Sequence, residues 1–148
     1  MDEKKLETLL QEGIPGYNKA IYYYINNKDY KRAHELADKK MDKILDEGLD
    51  MLDEDLSLIA YTFAMNGDYE SAKASVNVIL DDFEAPKEEK DLDLYASLAL
   101  ALCYDSEKKG EDVRRLLDQA LTFAPSKDHQ GADEALLKQA KEKKEALS

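Results

Sequence analysis

Apolar residues recur along this chain at three- and four-residue intervals, and strand-like alternation competes nowhere. Leu6, Leu9 and Leu10 predict a short leading helix over 2–12, which Gly13 ends. Pro15 suits the first turn of a second helix, about 15–27, because its missing N–H lies where no intrahelical partner exists. Asp29 is a natural N-cap for a third, about 30–46, with Tyr30, Ala33, Ala37, Met41 and Ile44/Leu45 on its inner face. Gly48 closes it, and residues 49–55 read as an acidic, solvated connector. The period restarts at Leu56, Ile59, Ala60 and Phe63, breaks at Asn66-Gly67, and resumes with Tyr69, Ala72, Val76, Ile79 and Leu80. Pro86 forbids continuation, so 86–90 is a charged loop. A third pair follows: about 91–107 (Leu94, Leu98, Ala101, Tyr104), a break at Lys109-Gly110, then Val113, Leu116/Leu117, Ala120 and Leu121, stopped near Pro125. After a polar loop over 126–131, a last helix, about 132–147, sets Ala135, Leu136, Ala140 and Leu147 against many lysines, as a terminal cap with a polar outer face would. The fold class is all-α.

The punctuation between helices repeats. Asn27-Lys28-Asp29-Tyr30-Lys31-Arg32-Ala33 and Asn66-Gly67-Asp68-Tyr69-Glu70-Ser71-Ala72 match at Asn, Asp, Tyr and Ala with an offset of 39, and Tyr22/Tyr61 keep the same register upstream. Self-similarity at about 20–50 residues marks a stacked-repeat architecture, in which each helical hairpin buries its apolar face against its neighbours.

This pattern resembles the tetratricopeptide repeat, a helix A–turn–helix B unit. Asn66-Gly67-Asp68-Tyr69-Glu70-Ser71-Ala72 matches the turn of that family. Its small residue at the close A–B crossing maps to Ala60 and Ala101, and its late helix A aromatic to Tyr24, Phe63 and Tyr104. The small residue early in helix B maps to Ala33, Ala72 and Val113, and the later one to Ala120. Departures are Ile21 and Lys40 in the first unit, a first unit without a terminal Pro, and a spacing of 39 to 41 against the usual 34 or so. The resemblance implies one domain over 1–148: a right-handed α-solenoid stack of three degenerate antiparallel helix pairs at about 15–46, 53–84 and 91–124, between leading and capping helices. It also implies a concave groove lined by helix A side chains, taking a peptide or a partner helix. Carried over by position, these are Asn18, Tyr22 and Asn26, then Ser57, Tyr61 and Met65, then Tyr95, Leu98 and Leu102. Three consecutive tyrosines, Tyr22–Tyr24, cannot all enter one core, since helical neighbours lie 100° apart, so the groove-side Tyr22 is a candidate contact. A clamp for a C-terminal carboxylate is not expected: it needs Lys/Arg and Asn spread over two adjacent helix A segments, and here the positions are mainly Tyr, Ser, Met and Leu, with only Lys19 and Asn18 nearby.

Charge narrows the partner. The net charge of -12 over 148 residues excludes a phosphate-tracking surface, and hence nucleic acid. Residues 53–90 carry 10 acidic side chains against 3 basic, so a basic protein or peptide would be steered there; solubility alone also accounts for the excess. A single cysteine, Cys103, in an apolar run precludes an intramolecular disulfide and fits a reducing, cytoplasmic setting. No signal-peptide-like or membrane-spanning apolar run is present.

Catalytic and cofactor chemistry finds no foothold. His34-Glu35-Leu36-Ala37-Asp38 approaches a zinc-protease helix but has Asp38 where the second His belongs, and His129 is remote. The acidic stretch 46–55 lacks the spacing of a calcium loop, and the six glycines form no phosphate cradle. The expectation is therefore a protein without metal, cofactor or enzymatic activity, a monomer or weak homodimer that binds a protein or peptide in its groove. Alternatives are a self-associating scaffold, whose apolar edge packs on a copy of itself, and a regulatory peptide-sensing or chaperone-like domain.

Overall fold

A computed structural model describes residues 1–147. Among these residues there are eight α-helices, one 3-10 turn and no strand. Helix α1 spans Glu3–Gln11, α2 Ile14–Asn26, α3 Tyr30–Asp46, α4 Asp53–Met65, α5 Tyr69–Leu80, α6 Leu94–Ser106, α7 Gly110–Ala120 and α8 Gln130–Ala146, with the 3-10 turn at Glu89–Asp91. No helix among them is long and apolar enough to cross a membrane.

Aspartate caps start four of the eight α-helices. Asp2, Asp29, Asp68 and Asp93 each accept a hydrogen bond from the backbone N–H three residues on, at Lys5, Arg32, Ser71 and Ala96. Asp93 explains why α6 begins at Leu94 rather than at 91: the preceding residues form a separate turn, in which Asp91 accepts from the Glu88 N–H at 3.0 Å. Residues 53–55, read as connector, are the first turn of α4. Their three carboxylates favour the positive end of its dipole, and Asp55 Oδ2 accepts from the Leu52 N–H at 2.9 Å. Asp55 is buried rather than solvated. Helix α5 stops at Leu80, short of 84, because Asp82 turns the chain by accepting from the N–H groups of Glu84 and Ala85.

Three helical hairpins result, α2 on α3, α4 on α5 and α6 on α7, and their turns share one geometry. Lys28, Gly67 and Lys108 all have positive φ (60°, 83° and 60°). The following N–H, of Asp29, Asp68 and Lys109, reaches back to the carbonyl of Tyr24, Phe63 and Tyr104 at 2.8 to 3.0 Å. The third break thus lies one to two residues ahead of Lys109-Gly110, and Gly110 opens α7. Asn66 ties neighbouring hairpins together, donating to the carbonyls of Thr62 and, across the interface, Tyr30.

The hairpins pack in chain order, α3 on α4, α5 on α6, and α4 on α6, while α1 packs on α2. Small residues stand fully buried where helices cross: Ala20, Ala33, Ala60, Ala72, Ala101 and Ala120. Tyr69, by contrast, is exposed, and only its carbonyl is engaged, by the Cys103 thiol at 3.5 Å. Helix α8 closes the molecule. It packs on α7 and α6 of the last hairpin and also on α2 of the first.

Candidate functional site

Of the nine side chains expected to line a groove, Tyr61, Met65 and Tyr95 bond to α8, while Tyr22 and Asn26 lie against its first residues. Tyr61 donates through its hydroxyl to Gln139 Oε1 at 2.7 Å, and Gln139 Nε2 donates to the Met65 sulfur at 3.2 Å, so one amide of α8 holds two positions of α4. Tyr95, in the first turn of α6, donates to Asp133 Oδ1 at 2.7 Å. Asn26, exposed at the end of α2, sits so near α8 that a Cβ on Gly131 would come within 2.8 Å of its Nδ2. At the far end Lys143 pairs with Asp105 (2.8 Å) and Lys144 with Asp118 (2.5 Å), while Arg114 donates to the Leu147 carbonyl. These contacts fix the direction: α8 runs parallel to α6 and antiparallel to α7.

Most of the nine positions are closed to solvent. Tyr22, Ser57, Tyr61, Tyr95 and Leu98 are all buried, and Met65 and Leu102 are half-buried. Tyr22 is only 8% exposed; among the three consecutive tyrosines it is Tyr23, at 37%, that meets solvent. The Tyr22 ring stacks on His129 (centroids 4.0 Å, planes 10° apart) and meets Tyr95 edge-on at 5.7 Å, and Tyr95 meets Tyr61 edge-on at 5.7 Å. Asn18 turns away from α8: its Oδ1 accepts from the buried Lys40 Nζ at 3.0 Å.

Beside these rings lies a cavity of about 280 Å³ between α2 and the starts of α4, α6 and α8, where Tyr22 donates to Glu54 Oε1 at 2.8 Å. Asp93 and Asp133 also face it. Burial first, and the neighbouring carboxylates next, push the Tyr22 and Tyr95 hydroxyls far above the ordinary phenol range. Burial likewise raises the Asp93 carboxyl, with the charge of Glu54 adding to it. Each acid here has a structural task. Glu54 stands in the first turn of α4 and Asp93 caps α6, while Asp133 accepts from Tyr95, His129 and the Ser126 N–H.

The two histidines are far from one chemistry. His34 Nδ1 lies 2.9 Å from Thr62 Oγ1 with its ring against Phe63, whereas His129 bonds Asp133. No group of three or more metal-ligating side chains converges among the described residues. Cys103 is a buried thiol pushed up to about 11 by that burial, which makes it a poor nucleophile.

Gln139, Asp133 and His129 were not legible as site residues. Their signal was present: Ala132, Leu136 and Ala140 form a fully or nearly fully buried stripe at i, i+4 and i+8, and Asp133 and Gln139 flank it on α8. In comparisons with known proteins, no family model, no curated protein and no solved structure matches the chain.

Proposed function

We propose that the protein is a tetratricopeptide-type helical stack that serves as an interaction module, taking a helical segment of a protein partner on the face built from α2, α4 and α6. One observation carries this reading: that face already accommodates a helix. Gln139 of α8 is read by both Tyr61 and Met65, and Asp133 by Tyr95. Helix-in-groove recognition needs apolar anchors at i and i+4 with polar groups that fix register, and α8 meets that requirement with Ala132, Leu136 and Ala140. The repeated turn at Lys28, Gly67 and Lys108 supports the stack, because three equal turns orient three hairpins alike. A cytoplasmic partner, basic in charge, suits the net charge of -12.

Affinity capture from the native lysate tests the proposal, with Met65→Glu and Leu102→Glu as controls. Both side chains are half-buried on this face, so an added carboxylate obstructs a docked helix without entering the core. Folded variants that capture the same partners as the parent chain would sink the groove reading.

A further inference from the structure

Resting on the reading that this face binds a helical partner, we propose that α8 is its resident occupant. The partner is then a helix carrying α8's own pattern, which binds by displacing it. The pattern is defined by the contacts. A small residue opens it (Ala132), a leucine follows four positions on, and another small residue four beyond that; all three are buried. The acid after the first small residue accepts from the Tyr95 hydroxyl, and the amide just before the last accepts from the Tyr61 hydroxyl. A lysine pair three and four positions past the last small residue faces Asp105 and Asp118. This final element matches a basic partner to an acidic rim, where half-exposed ion pairs set register and approach more than affinity.

Three features make α8 suited to release. Leu136 is its one fully buried large side chain; Ala132 and Ala140 leave little surface behind. Its specific anchors are hydrogen bonds that a competing helix with the same polar groups restores in full. The connecting residues 121–129 contain Pro125 and no helix, so α8 is separated from α7 by a segment that can carry it away from the face. Because α8 is tethered, it competes at the high effective concentration of an intramolecular ligand, and a free helix gains access only when α8 is weakened or outmatched.

The test uses the full chain and a labelled synthetic peptide of residues 130–147. Binding is compared between the parent chain and Leu136→Ala, which loosens α8 while the peptide keeps its leucine. At least tenfold tighter binding to Leu136→Ala is expected, with none for a peptide carrying Leu136→Asp. Adding Tyr61→Phe to the loosened chain removes the hydroxyl that holds Gln139 and is expected to weaken the peptide at least threefold. If far-UV circular dichroism shows that Leu136→Ala fails to fold, the milder Gln139→Ala replaces it.

Equal affinity for parent and loosened chains overturns the inference that α8 is the competitor. The groove reading then stands or falls by the capture experiment alone. An unchanged affinity on adding Tyr61→Phe overturns the placement of the peptide on this face. A doubled mass in light scattering, with α8 exchanged between chains, overturns the partner-helix assignment in favour of a second copy.

Discussion

Lys40 Nζ lies 3.0 Å from Asp55 Oδ1, and both side chains are out of reach of solvent. The same ammonium donates to Asn18 Oδ1 at 3.0 Å, and the other oxygen of Asp55 accepts from the Leu52 N–H. One ion pair therefore joins α2, α3 and α4, at a helix B position where a small residue was expected. Burial depresses the Lys40 ammonium below the ordinary lysine value, and Asp55 opposes that shift. A buried pair of this kind is costly to split and cheap to replace as a whole. Lys40→Met or Asp55→Asn alone should each cost about 3–5 kcal/mol, because each strands a charge away from water. The double variant removes both charges, while the carbonyl oxygen of the new amide can still accept from the Leu52 N–H. It should lose less than either single change. Urea unfolding of the four chains at pH 7 measures the coupling, and additive losses would show that the pair is not a unit.

Lys28 and Lys108 occupy a backbone conformation that costs a side chain about 1–2 kcal/mol, and the equivalent residue in the middle hairpin is Gly67. Lys28→Gly and Lys108→Gly should therefore stabilise the chain, by about 1 kcal/mol each against the Gly entropy cost elsewhere. For a domain of this length that corresponds to about 2–4 °C in Tm per substitution. Gly67→Lys should move Tm the other way. Calorimetry on the three variants checks the sign, and a fall in Tm for either Lys→Gly change would mean that its turn is held by something other than this geometry.

Helices and turns were legible in the sequence because their causes are local. Asp29 and Asp68 cap the next helix through a bond three residues away, and Pro15, Pro86 and Pro125 restrict the backbone at their own positions. What escaped was set by distance along the chain. Lys40 reads as an irregularity until Asp55 and Asn18 are seen beside it, and Asp55 reads as part of a wet connector for the same reason. The candidate site shows this most plainly. Position within each helical hairpin singled out Tyr61, Met65 and Tyr95, but nothing local signals that Gln139 meets Tyr61, 78 residues earlier, or that Asp133 meets Tyr95. A polar helix rich in lysine looks the same from sequence whether it caps the end of a stack or also reaches its first hairpin.

Gly16 marks a contact of the same hidden kind. A Cβ there would stand 1.7 Å from the Leu9 carbonyl oxygen, so the end of α1 rests directly on the first turn of α2. Backbone cannot yield as a side-chain tip can, and Gly16→Ala must push α1 away. Helix α1 contains no fully buried residue and holds on through half-buried Leu6, Leu9 and Leu10. The expected result is local detachment: amides of residues 3–11 lose protection from hydrogen exchange while those of α2 to α8 keep theirs. Global unfolding of the variant at ambient temperature would instead make α1 part of the main cooperative unit.

Tyr22, Tyr61 and Tyr95 should give the molecule a sharp alkaline limit. Burial raises all three hydroxyls above the ordinary phenol value, joined at Tyr22 by Glu54 and at Tyr95 by Asp133. In the unfolded chain they ionise near 10. The folded state thus holds protons that the unfolded state gives up, so their contribution is complete below about pH 10 and is lost as pH rises further. Each such group changes stability by about 1.4 kcal/mol per pH unit in that range, about 4 kcal/mol for the three. Lys40 acts in the opposite sense, since its depressed value lets the unfolded state bind the extra proton up to the ordinary lysine value, but it is one group against three. Absorbance at 295 nm should accordingly show a steep step above about pH 10. That step is the ionisation of Tyr22, Tyr61 and Tyr95, and it coincides with loss of helical circular dichroism. Ionisation of Tyr22, Tyr61 and Tyr95 near pH 10 with the helices intact would remove them from the closed face on which the placement of α8 depends.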